Sequence, residues 1–137
     1  MELIDVQNPR LLTNLEVLKV IKESRKKVRR QQTLMFTCGK YLNCKTPCSK
    51  QSEAEVQAFA NEIKDFNLTK SEILMLINHC PSSQVELSVI ISDLDSRFSN
   101  RQADNILQLV QKHFPDGIAA SQSINTTGTL EVSEETT

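Results

Sequence analysis

Glycine and proline are scarce in this chain, with three Gly and four Pro among 137 residues. A β-sandwich or barrel needs many tight turns, and these counts exclude one. No uncharged apolar run approaches the ~18 residues that a membrane span requires. The opening Met-Glu-Leu-Ile-Asp lacks the basic start and apolar stretch of a secretory signal. A secreted disulfide scaffold, a membrane protein and a collagen-like fibre are therefore set aside. A small helical intracellular protein is expected.

What is present suits one folded domain. Hydrophobic residues make up 39% and charged residues 24% of a 15.5 kDa chain, and at this length roughly two-thirds of the unfolded surface can be buried. The net charge of −1 conceals an asymmetry: residues 1–50 carry eleven Lys/Arg and four Asp/Glu, whereas residues 51–137 carry five and thirteen. Each region therefore needs its own reading.

Residues 2–6, Glu-Leu-Ile-Asp-Val, form a short apolar stretch closed by the turn signal Asn8-Pro9. A brief strand is expected there, with nothing in the chain to pair with. A long helix is read from Leu11 to about Arg30, capped by Thr13 with Glu16 three residues on. Leu11, Leu12, Leu15, Val17, Leu18, Val20 and Ile21 point almost all the way round it, so it should be covered on more than one side. The second cover is expected to be another chain. Leu3, Ile4, Val6, Leu12, Leu15, Leu18 and Ile21 are accordingly the candidate partner interface.

Leu34, Cys38, Tyr41 and Leu42 next recur at helical spacing until Thr46-Pro47 stops the helix. Four capped helices are then read in sequence, each box standing just before an apolar periodic run. Ser52 with Glu55 precedes Val56, Phe59, Ala60, Ile63 and Phe66, and Thr69 with Glu72 precedes Ile73, Leu74, Leu76 and Ile77. Ser83 with Glu86 precedes Leu87, Ile90, Ile91 and Leu94, and Ser99 with Gln102 precedes Ala103, Ile106, Leu107, Val110 and Phe114. Short connections force consecutive helices to pack as neighbours. The fold class is all-α. The expected organisation is an N-terminal partner-contacting region over 1–50, a helical domain over 51–115 and a disordered acidic Ser/Thr-rich tail over 116–137, which has no Lys or Arg.

Chemistry-bearing residues are few. Cys38, Cys44, Cys48 and Cys80, with His79 nearby, invite a zinc reading, but only Cys44-x₃-Cys48 approaches a paired knuckle. Idle or buried thiols are the preferred reading. His79 and His113 stand at no recognisable catalytic spacing, and neither a phosphate loop nor a His-Glu-x-x-His helix is present. No catalytic, metal or cofactor residue is assigned, and the chain is not expected to be an enzyme. Asn67-Leu68-Thr69 and Asn125-Thr126-Thr127 match the glycosylation triplet, and without a secretory signal they are read as idle. Arg25, Lys26, Lys27, Arg29 and Arg30 form a basic patch suited to a solvated helix end, nuclear import or phosphate contact. No aromatic is interleaved with them, which disfavours base stacking.

Leu68-Thr69-Lys70-Ser71-Glu72, then Leu76-Ile77-Asn78-His79-Cys80-Pro81, then Val85-Glu86-Leu87 resemble the small stalk subunits of RNA polymerases. That family includes the fourth subunit of polymerase II and its archaeal counterpart. Leu68, Thr69, Glu72, Asn78, Pro81 and Glu86 are the signature positions. Asn78-His79-x-Pro81, Lys45-Thr46-Pro47-Cys48 and Leu11-Leu12-Thr13-Asn14 resemble the polymerase III branch. The likeness spans about residues 2–115.

The resemblance implies an HRDC-like helical bundle preceded by a short strand and a long helix. It implies a non-catalytic nuclear subunit that pairs with an OB-fold stalk subunit, sits on the polymerase core and helps initiation factor IIIB start transcription. Two other classes stay open. One is a free-standing HRDC-type nucleic-acid-binding module. The acidic balance of residues 51–115, five Lys/Arg against nine Asp/Glu, disfavours it and leaves nucleic-acid contact at most indirect. The other is an intracellular adaptor of a peptide-hormone (calcitonin gene-related peptide) receptor, which would place the chain in the cytoplasm as well.

Overall fold

The computed structural model describes residues 9–24 and 31–130. The expected N-terminal strand and the basic patch lie outside the described residues. Among the described residues eight α-helices follow in order: α1 (Asn14–Ser24), α2 (Gln32–Lys45), α3 (Glu53–Ile63), α4 (Lys70–His79), α5 (Gln84–Ile90), α6 (Leu94–Arg97), α7 (Asn100–His113) and α8 (Pro115–Thr127). A 3₁₀ turn, Pro47–Lys50, joins α2 to α3, and a second, Lys64–Phe66, follows α3. No strand occurs among the described residues.

Hydroxyl caps start the helices where the sequence places them. Thr13, Ser52, Thr69, Ser83 and Ser99 each accept the amide proton of the residue three positions on. Each satisfies one of the N–H groups that a helix start leaves without a partner, worth about 1 kcal/mol. The reciprocal bond forms at Thr13, Ser52 and Ser99. At Thr69 and Ser83 the expected box is half made. The Glu72 carboxylate turns to Arg97, and Glu86 accepts from the Ser82 amide at 2.7 Å instead.

The main core lies among α3, α4, α5, α7 and α8. Phe59, Ile63, Leu76, Leu87, Ile91, Ile106, Val110 and Phe114 are fully buried there, each contributing about 1.5–3 kcal/mol of burial. The Phe59 and Phe114 rings meet at 5.1 Å between centroids.

Two expectations are corrected in this region. The helix read through Leu94 stops at Ile90, and Asp93 takes a left-handed conformation (φ 53) before the short α6. Asp tolerates that geometry, and the turn delivers the Arg97 guanidinium to Glu72 and to the carbonyls of Ser92 and Asn67. The tail expected to be disordered from residue 116 is helical to Thr127. Counting polar residues concealed Gly117, Ile118 and Ala120, which are buried at helical spacing. Pro115 opens that helix with its fixed φ, and Gly128 closes it at φ 80.

Candidate partner-docking surface

α1 and α2 form a hairpin with a small core of its own. Leu15, Leu18, Leu42 and Cys48 are buried in it, with Val17, Ile21 and Val56 packed at its edge. Gly39 faces Ile21 across the hairpin, and a Cβ there would meet Ile21 Cγ2 at 3.7 Å, an ordinary contact, so the packing does not require a glycine. Thr46 donates to the Leu42 carbonyl at 2.6 Å and accepts from the Cys48 amide at 3.4 Å. The helix thus stops where the pre-proline position demands, and the chain turns beneath it.

The candidate interface residues of the first helix divide. Leu15 and Leu18 are 7% and 3% exposed, packed inside their own chain, so they are not surface anchors. This corrects the expectation that they face a partner. The physical reason is α2, which supplies the cover that a second chain was expected to give. Ile21 is half-buried on the same core. Leu12 is 43% exposed and remains available. Leu3, Ile4 and Val6 fall outside the described residues.

The candidate interface left out most of the outward apolar set. Leu11, Val20, Leu34, Phe36 and Tyr41 join Leu12 on the exterior of the hairpin and its approach. On α2 only Leu42 is buried, while Leu34, Cys38 and Tyr41 of the expected stripe face outward. The signal was present as an apolar density higher than one helix contact can consume. A cleft of about 430 Å³ opens between the start of α1 and α3, lined by Thr13, Leu15, Glu16, Glu53, Val56 and Gln57.

The signature residues occupy joints of the structure. Asn78 Oδ1 accepts the Asn14 amide at 2.9 Å, satisfying an open donor at the start of α1 from the last turn of α4. Glu72 pairs with Arg97 through two contacts at 2.7 and 3.1 Å, and the guanidinium holds its carboxyl below the usual carboxylate range. Pro81 is fully buried after Cys80, which ends α4 at φ 48. Leu68 packs on the main core. Glu86 fixes the Ser82 turn through the amide and the hydroxyl. These positions shape the fold and touch no reactive group.

The four cysteines are dispersed by environment. Cys38 is exposed, Cys44 half-buried, and Cys48 and Cys80 buried. Burial pushes the Cys80 thiol up to about 12, although Gln51 donates to its sulfur; Cys48 is raised for the same reason. His79 is exposed at the end of α4, and His113 stands edge-on to Phe59 at 6.0 Å. Among the described residues no three His, Cys, Asp or Glu side chains are grouped to hold a metal ion. No helix among them is long and apolar enough to cross a membrane.

The RNA polymerase Rpb4 family model matches residues 11–114. Among curated proteins the chain is similar to DNA-directed RNA polymerase III subunit rpc9 of Schizosaccharomyces pombe, 32% identical over 87 residues, covering 61% of this chain and 65% of that one. It is similar to subunit RPC9 of Saccharomyces cerevisiae, 27% identical over 66 residues, covering 48% and 41%. It is also similar to rpc9 of Dictyostelium discoideum, 30% identical over 111 residues, covering 74% and 84%. The matched stretch spans less than two-thirds of the length of the first two relatives.

Proposed function

The chain belongs to the RNA polymerase Rpb4 family, and from that membership we propose that it serves RNA polymerase III as a non-catalytic subunit. Relatives bearing the RNA polymerase III name support the choice of enzyme. The observation that carries the reading is the exterior of the α1–α2 hairpin. Six of the nine large apolar side chains exposed among the described residues lie there, all inside the family-matched stretch. Exposed apolar side chains concentrated on two neighbouring helices of a small chain support a protein contact there.

The occupant we propose is the OB-fold stalk subunit, with residues 1–10 extending the contact, and the heterodimer assists initiation factor IIIB in the nucleus. The basic patch at 25–30 serves nuclear import or phosphate contact. The acidic bundle does not bind duplex directly, because phosphate affinity needs the opposite sign of charge.

Affinity purification of the tagged full chain from nuclear extract, with identification of the co-purifying chains, tests this reading. RNA polymerase III subunits, an OB-fold chain among them, are expected. Recovery of a membrane receptor complex, or of no polymerase chain, overturns it.

A further inference from the structure

The hairpin and the bundle have separate apolar cores, and direct contact between them is thin. Val56 touches both. The Asn14–Asn78 hydrogen bond, the Lys19–Glu53 ion pair at 2.5 Å and the Gln51 side-chain bond to the Ile77 carbonyl at 2.6 Å add polar links. α8, which lies beyond the family-matched residues 11–114, engages both units at once.

On the bundle side Ile118 sits in the main core. The Gly117 backbone comes so near that an added Cβ would stand 2.9 Å from Cys80 Sγ and 3.3 Å from Phe114 Cβ. Ser121 donates its hydroxyl to the His79 carbonyl at 2.9 Å, and Gln122 reaches Ser82 at 3.3 Å. On the hairpin side α8 packs along the Pro47–Lys50 turn, whose Cys48 belongs to the hairpin core. Beyond α8 the Leu130 amide donates to the Cys44 carbonyl at 2.7 Å, and Lys45 Nζ donates to the Gly128 carbonyl.

The final carbonyls of a helix lack partners within it. At the end of α2, Leu42 is served by Thr46 and Asn43 by Ser49, both local; Cys44 is served by Leu130, 86 positions on. At the end of α4, His79 is served by Ser121. One segment therefore closes the C-terminal ends of two helices, one in each unit.

We propose that residues 115–130 form a strap that ties the α1–α2 hairpin to the bundle and governs whether the hairpin stays ordered. Contacts of this kind define units that open together. The strap is independent of the identity of the docking partner.

Native-state hydrogen exchange of the full chain, read by mass spectrometry in mild denaturant, tests it. Amides of α1, α2 and α8 should exchange through one shared opening, separate from the opening of α3 to α7. Lys45→Met with Leu130→Pro removes the two hairpin-side hydrogen bonds without touching a core residue, leaving the packing of α8 on the Pro47–Lys50 turn in place. Loss of two hydrogen bonds should speed exchange in α1 and α2 by about tenfold or more, with α7 unchanged. Gly117→Ala, which drives a methyl group into Cys80, should act in the same direction from the bundle side. The proposal fails if α8 opens alone while α1 and α2 keep their protection. It also fails if the Lys45/Leu130 variant leaves hairpin exchange as in the wild type, whether or not the Gly117 variant folds.

Discussion

Leu12 and Leu18 lie six positions apart around one helix start, and they should respond to truncation in opposite ways. Leu18 is 3% exposed in a core whose other buried members among the described residues are Leu15, Leu42 and Cys48. Leu→Ala at a buried site costs about 2–5 kcal/mol, and the cost falls where neighbours can close in. The half-buried Val17, Ile21 and Val56 bordering this core can do so, which places Leu18→Ala at about 2–3 kcal/mol, roughly a hundredfold in the opening equilibrium. Leu12 is 43% exposed and loses little by truncation, within about 0.5 kcal/mol. Urea denaturation of each purified variant, followed by far-UV circular dichroism, gives the stability difference. A pull-down with the proposed OB-fold partner gives the binding difference. Leu18→Ala should destabilise the hairpin, and Leu12→Asp should leave the fold intact while weakening capture. Unchanged stability in Leu18→Ala together with lost capture would refute the assignment of Leu18 to the hairpin core.

Three further outcomes are expected. Asn78→Ala should cost about 1–2 kcal/mol in thermal or urea unfolding, because the Asn14 amide loses its acceptor in a half-buried setting. Glu72→Gln should be pH-dependent: the folded-state carboxyl is depressed by Arg97, so the wild-type advantage is present above the ordinary glutamate value of about 4.3 and lost as pH falls through the lower folded-state value. Melting temperatures of both proteins at neutral and acid pH would check this, and a constant difference would count against the ion pair. A thiol reagent at neutral pH should modify Cys38 first and Cys44 more slowly, and should reach Cys48 and Cys80 only on unfolding; peptide mass mapping gives the order.

The helix starts were legible because a hydroxyl cap is a local chemical event: Thr13, Ser52, Thr69, Ser83 and Ser99 need only the amide three residues away. What a carboxylate does beyond its cap was not legible, since Glu72 was drawn to Arg97, 25 positions on. The direction of α1 was equally hidden. Apolar residues all round a helix do not say which face meets its own chain, so Leu15 and Leu18 were assigned to a partner that α2 replaces. α8 was missed because composition weighs residues and ignores their spacing. Two buried positions and a glycine contact sufficed to order a segment otherwise rich in Ser and Thr. The signature residues were found by likeness to a family, and only the folded chain revealed that Asn78 joins α4 to the start of α1.

The smallness of the hairpin core bears on how much of this chain a cell retains. Among the described residues four apolar side chains are buried in it, a slender reserve against the ordering entropy of two helices. A partner that binds only the closed hairpin adds stability in proportion to the logarithm of its concentration. Copies made in excess of that partner open more often, and each opening offers Leu15, Leu18 and Leu42 to chaperones and proteases along with the apolar exterior. Steady-state abundance of the chain should therefore follow the supply of its partner rather than its own rate of synthesis. The same weakness would let the cell hold the two chains in equal number without a dedicated regulator.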